Sequence, residues 1–243
     1  MKILMLILIS DGGPCELYTR LQYEIWRQYM HLRPNQVEAY FYKANPNLTQ
    51  DYYFEGDVLW VKCIEQYPKL WNKFILALGA FKNRLHEFDY ICRPDLSAFL
   101  VLERYLDYLK IQPKTKMCSG TTLFDSVRSP FKYPSGGCFT ISSDLGTYIL
   151  ENTVNPSAYG IDTKNDEIDD LRIGVYLHEL KIDIIPDNRC DIYYPPYDYT
   201  KLHNFILDKD RFYVRIVHHT RKRLEHDMNI HTSLLSTFYP TMS

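Results

Sequence analysis

The feature that most constrains this chain is the uninterrupted apolar run over residues 3–9, which stops abruptly at Ser10-Asp11-Gly12-Gly13-Pro14. A strand that is apolar on both faces must be covered on both, as in the middle of a parallel sheet. Leu17, Leu21, Ile25 and Tyr29 then recur at helical spacing. Further strands are predicted at 37–42, closed by the Asn45-Pro46-Asn47 turn, at Val58–Val61, and at 90–92, halted by Arg93-Pro94. Between them Leu70, Phe74, Ala77, Leu78, Phe81 and Leu85 predict one long amphipathic helix. Phe99, Leu102, Leu106 and Leu109 predict another over 96–110. This alternation implies an α/β fold: a Rossmann-like mixed, mainly parallel sheet flanked by helices. After Pro113 the pattern is less regular, with strands expected at 138–142, 182–185 and 212–217. Helices are expected at 144–150, Asp169–Leu180 and 224–235. Residues 1–243 are read as one domain with two halves, 1–112 and 113–243, sharing one sheet.

Composition narrows the function classes. The chain is 46% hydrophobic and 24% charged with a net charge of −2, so no global field draws it to nucleic acid or an anionic membrane. Charge is nonetheless clustered: residues 162–170 hold five acids, and 211–223 hold five Lys/Arg with two His. The six cysteines include no C-x-x-C pair and read as buried free thiols. The N-terminal apolar run is too short to span a bilayer, and the expectation is a soluble, cytoplasmic protein. No G-x-G-x-x-G, G-x-x-x-x-G-K-[ST] or G-x-S-x-G pattern occurs, which removes the commonest nucleotide and hydrolase sites.

Ligands of an open α/β sheet bind beyond the carboxyl ends of its strands. Three segments there carry a resemblance: Arg93-Pro94-Asp95-Leu96-Ser97 after a strand, Tyr133-Pro134-Ser135-Gly136-Gly137-Cys138-Phe139-Thr140-Ile141-Ser142, and Asp169-Asp170-Leu171-Arg172-Ile173-Gly174. In order and spacing they are similar to the D-x-D, glycine-pair and acidic-pair motifs of the fringe and β-1,3-galactosyltransferase-like glycosyltransferases. Compact versions of these, encoded by large DNA viruses, are the most similar in character. The resemblance covers roughly 55–185 and implies a GT-A-like fold. It further implies transfer of a hexosyl or pentosyl group from a UDP- or GDP-type sugar donor to a glycan acceptor, with inversion. Residues 1–112 would then hold the donor nucleotide, and 113–243 the acceptor and the catalytic groups.

On that resemblance Asp170 is the general base and Asp169 orients it or touches the acceptor; the alternative is an acidic first helical turn. Asp95 faces the donor and, with His218, is the candidate ligand set for Mn²⁺ or Mg²⁺. The second D-x-D carboxylate is replaced by Ser97, which puts that metal in doubt. Asp95 and Ser97 otherwise read as caps of the 96–110 helix. Arg93 belongs to the same donor segment. Gly136, Gly137 and Tyr133 are assigned to the acceptor, or to a plain turn before the strand. His218, His219, Arg221 and Arg223 are candidates to neutralise a diphosphate leaving group, or else form a solvated basic helix start. Lys73 either reaches a phosphate or is solvated. Ser10 and Asp11 contact the nucleotide or simply make a helix-entry turn. The aromatic run 193–199 is an acceptor platform or a packed loop. A degenerate relative that binds nucleotide sugar or glycan without turnover is the rival reading, supported by Ser97.

Overall fold

The computed structural model describes residues 1–9, 21–66, 69–161, 168–193, 199–217 and 223–240. The described strands are β1 (Ile3–Leu8), β2 (Val37–Ala44), β3 (Tyr52–Glu55), β4 (Val58–Val61), β5 (Tyr90–Pro94), β6 (Ala98–Leu100), β7 (Cys118–Leu123), β8 (Tyr133–Ser142), β9 (Ile184–Ile185), β10 (Arg189–Tyr193) and β11 (Tyr213–Val217). Helix α1 is a π-helical stretch, Gln22–Trp26, running into Arg27–Tyr29. It is followed by α2 (Leu70–Gly79), α3 (Leu102–Lys110), α4 (Ser143–Glu151), α5 (Asp169–Leu180), α6 (Tyr199–Leu207) and α7 (Arg223–Phe238).

Eight strands make one sheet in the order β3-β4-β2-β1-β5-β8-β7-β9, and β10-β11-β6 make a second, smaller one. The centre of the large sheet, β4-β2-β1-β5, is parallel, whereas β8 runs against both β5 and β7. The apolar run at the start of the chain is the strand β1, hydrogen-bonded on both sides, and Ile3 through Ile7 are all 0% exposed. Its side chains alternate between two cores. Ile3, Met5 and Ile7 face α1, α3 and α7, while Leu4 and Leu6 face α2, α4 and α5. The architecture is therefore the expected mixed α/β one, a mainly parallel sheet with helices on both faces. Among the described residues no helix is long and apolar enough to cross a membrane. Cys63, Cys92, Cys118, Cys138 and Cys190 are free thiols.

Several local expectations are corrected. The helix expected over Leu70 to Leu85 ends at Gly79, and a 3₁₀ stretch, Lys82–Glu87, still buries Leu85. The helix expected from residue 96 begins at Leu102. Ala98–Leu100 is instead a strand, antiparallel to β11. The physical reason is that residues 98–102 are all buried, so the segment has no polar face to give a helix. The strand expected at 138–142 starts at Tyr133, which places Gly136 and Gly137 inside β8; neither glycine has positive φ. Strands β3, β7 and β10 and helix α6 had no counterpart in the sequence reading.

With no Ser, Thr, Asp or Asn to cap it, α3 takes its N-terminal partner from the far end of the chain. The Leu102 N–H donates to the Tyr239 hydroxyl at 2.8 Å, and that hydroxyl reaches Glu103 at 3.3 Å. Tyr239→Phe keeps the buried ring but orphans a buried N–H, so it should cost about 1–3 kcal/mol of stability. Urea unfolding that shows an unchanged midpoint would refute this capping role.

Candidate active site

The first strand ends of the large sheet and the start of α5 meet around one dipeptide of β8, Gly136-Gly137. The Gly136 N–H donates to Asp170 Oδ2 at 2.9 Å. The Gly136 carbonyl accepts from Arg93 Nη1. On the other side the Asp95 N–H donates to the Gly137 carbonyl at 2.9 Å, and Asp95 bridges to Leu8 at the end of β1. The donor-segment backbone and the candidate base are thus attached to neighbouring residues of β8.

The glycines are required by packing. A Cβ on Gly136 would lie 2.9 Å from Asp170 Oδ2, and one on Gly137 would lie 2.6 Å from the Tyr213 hydroxyl and 2.9 Å from Arg215 Nε. Gly174 serves the same end on α5, since its Cβ would meet the Cβ of Tyr133 at 2.6 Å. Tyr133 itself is buried, in a small cluster with Ile168 and Leu171. It is a wall of the site and not a turn residue.

Arg93 and Asp169 form an ion pair of 2.5 Å with side chains 1% and 0% exposed. The same guanidinium donates to the Tyr42 hydroxyl at 3.3 Å and lies over the Phe139 ring. Burial works to lower the Arg93 pKa, but Asp169 and Tyr42 hold it above the ordinary value. Arg93 is therefore placed beneath the site and Asp169 is fully committed to it. Asp169 also caps its own helix, accepting from the Asp170 N–H at 3.1 Å. Asp170 is half-buried, and its Oδ1 accepts from the Leu171 N–H at 2.8 Å. Burial first, and the negative Asp169 second, push its carboxyl up to about 6. The acidic-turn reading of this pair is what the helix start shows: Asp169 and Asp170 are its first two residues.

Asp95 and Ser97 do not cap α3, which starts five residues after Ser97. The Ser97 hydroxyl donates to Asp95 Oδ1 at 2.6 Å. Lys73 is not solvated: it is 1% exposed, paired with Glu65 at 2.6 Å, hydrogen-bonded to the Ile9 carbonyl, and set over the Tyr42 ring. Ser10, Asp11, His218, His219 and Arg221 lie outside the described residues, as do the Tyr193–Tyr199 side chains; of Arg223 only the backbone is described.

The described residues around Asp95 give a divalent ion little to hold, and the other candidate ligand, His218, lies outside them. Among the described residues no three His, Cys, Asp or Glu are grouped as a metal site. Asp95 has a hydroxyl partner in Ser97 where a second carboxylate would sit, and arginines as its charged neighbours.

The sequence reading missed Ser135, Arg189, Tyr213 and Arg215. Arg189 and Asp191 on β10, and Tyr213 and Arg215 on β11, share one strand phase, and Asp191 is registered opposite Arg215. Arg189 is held by Asp191 through two contacts of 2.8 and 2.9 Å and donates to Ser135 at 2.8 Å. The signal was present: Arg215 is a lone charge inside an otherwise apolar strand.

No family model matches the chain, and no curated protein does. Among solved structures, the fold is similar to that of a glycosyltransferase involved in the glycosylation of the major capsid of PBCV-1. That likeness has 11% identity, covers 94% of this chain and 100% of that one, and has a TM-score of 0.52. A second similar structure is the galactosyltransferase LgtC in complex with donor and acceptor sugar analogues. It is 10% identical, covers 95% of both chains, and has a TM-score of 0.49. The first likeness shows the GT-A-like fold expected from the sequence.

Asp170→Asn should reveal the cost of the charge. A carboxyl whose folded pKa is raised from 3.8 to about 6 favours the fold most when protonated, and that contribution is lost as pH rises through about 6. Asn keeps one of the two oxygens that accept backbone N–H bonds. Relative to the native protein, the melting temperature of the variant should therefore rise between pH 4 and pH 8. A gap independent of pH would contradict the assignment.

Proposed function

We propose that the chain is a glycosyltransferase that moves a hexosyl or pentosyl group from a nucleoside-diphosphate sugar to a glycan hydroxyl, with Asp170 as base. The observation that carries this reading is Asp170 itself. Its carboxyl pKa is raised to about 6, the group is anchored on the Gly136 N–H, and the carbonyl of the next residue, Gly137, holds the Asp95 N–H. The fold similarity to the PBCV-1 glycosyltransferase supports it at the level of architecture.

In this mechanism Asp95 accepts hydroxyl groups of the donor sugar, its orientation fixed by Ser97 and by the backbone. The acceptor hydroxyl donates its proton to Asp170 as its oxygen attacks the anomeric carbon. The bond to the diphosphate breaks in the same step, and the nucleoside diphosphate leaves with the electron pair. A single displacement of this kind inverts the anomeric centre. Asp169 and Arg93 do not touch the reacting atoms; they fix the helix end that carries Asp170. The half before residue 113 supplies Asp95 and the half after it supplies Asp170, in keeping with a donor side and an acceptor side. No step requires a metal ion from the residues described.

The test is hydrolysis and transfer across a panel of UDP- and GDP-sugars. Turnover should rise with pH through about 6 and then level, because only the ionised carboxylate accepts the proton. Asp170→Asn should lower it by roughly 10²–10⁴-fold, the usual worth of a general base, with donor affinity retained. Asp187, whose carboxyl burial also raises to about 6, should leave the pH limb in place when changed to Asn. Donor binding without any turnover in the native protein would favour the degenerate, binding-only relative. No binding of any nucleotide sugar would end both.

A further inference from the structure

Beside Asp95 lies a guanidinium whose hydrogen-bonding capacity is almost unused. Arg215 makes one long contact, Nη1 to the Ser135 hydroxyl at 3.3 Å, and no ion pair among the described residues. Its Nε is buried without a partner, and so is the Tyr213 hydroxyl next to it. Both abut Gly137, which has no side chain to satisfy them. The Arg215 side chain as a whole is only partly buried, so the far end of its fork is open to an incoming group. Ser135 meanwhile receives two guanidinium donors and the Gly137 N–H at 3.4 Å, more than a hydroxyl's two lone pairs accept. Arg189 has Asp191 for a bidentate partner, but Arg215 has none. Burial works to lower the Arg215 pKa, and Asp95 is the main influence holding it above the ordinary value, so the charge persists. A buried, unpaired Nε on a charged side chain is an energetic liability in the free protein. It is relieved when an oxyanion fills the fork.

We infer that Arg215, backed by Arg189 and Ser135, is an oxyanion subsite that receives either the donor's diphosphate or the carboxylate of an acidic sugar on the acceptor. The inference rests on the glycosyl-transfer reading for the two sources it names, but not for the binding of an oxyanion. In the first case the fork neutralises the leaving group as the glycosidic bond breaks. In the second it selects an acceptor bearing a uronic acid.

Titration calorimetry in the presence of EDTA tests it, with inorganic pyrophosphate and with glucuronate as probes. The native protein should bind one of the two. Tight pyrophosphate binding points to the donor, and selective glucuronate binding to the acceptor. Arg215→Gln should weaken that probe at least tenfold, and Arg215→Lys should fall between, keeping the charge but not the fork. Lys110→Gln removes the same unit of charge from an exposed helix end and should leave affinity unchanged; a circular-dichroism melt confirms that each variant is folded. The inference is overturned if the native protein binds neither probe. It is equally overturned if Arg215→Gln and Arg215→Lys bind as the native protein does, or if Lys110→Gln weakens binding as much as Arg215→Gln. Anion binding that depends on Arg215, in a protein that turns over no nucleotide sugar, would leave the subsite standing and remove the transferase reading.

Discussion

The arrangement of the candidate site depends on the ion pair between Arg93 and Asp169. Two charges taken wholly out of water need each other, and removing either partner leaves the other stranded at a cost of about 3–5 kcal/mol. What the pair gains for the protein is position. Arg93 belongs to a strand in the middle of the sheet, Asp169 opens a helix on one face, and the same guanidinium reaches the carbonyl of Gly136 on a third element. The three pieces can shift relative to one another only by breaking a buried charge contact. Asp170 therefore inherits its place from its neighbour in sequence. Its raised pKa comes first from burial and second from the negative Asp169 one residue away, which resists a second ionisation.

The fold was legible wherever burial followed a simple period. The first strand, the helix from Leu70 and the helix from Asp169 are read directly from apolar spacing, since each is buried in proportion to that pattern. The failures are physical too. The β7 sequence, Cys-Ser-Gly-Thr-Thr-Leu, is built of small and polar residues, so it carries no alternation, although half of it is buried between neighbours. The β3 strand is exposed along its whole length, and an edge strand with no buried face has no pattern to show. Residues 98–100 carried a helical spacing by coincidence; the contiguous burial that makes them a strand comes from pairing with a segment more than a hundred residues away.

The site was legible to the extent that its residues come in short motifs. Asp170, Asp95 and the two glycines stand in the sequence as neighbours of one another within each motif, and tertiary structure only had to bring the motifs together. Lys73 reads as a donor ligand if its helix points at the donor, and Arg93 reads as one from its place after a strand. Their burial reflects Glu65 and Asp169, which no local pattern links to them. Gly174 was legible as a conserved-looking spacing with a chemical meaning, whereas its requirement is steric, the close approach of a helix to Tyr133. Arg215 was passed over because attention fell on the basic residues after the strand, while the informative cation sat inside it.

The charges around the glycine pair bear on the raised pKa of Asp170. Arg93, Arg189 and Arg215 are three cations, and Asp95, Asp169 and Asp191 are three anions. Asp170 stands beside these six as a further carboxylate, as does Asp187, and burial raises the pKa of each to about 6. Arg93 and Arg189 each have a carboxylate in ion-pair contact, and Arg215 has only the more distant fields of Asp95 and Asp191. An acid of raised pKa and an under-used cation thus stand on either side of the same two glycines. An inverting displacement has the same polarity, taking up a proton at one end and developing negative charge at the other.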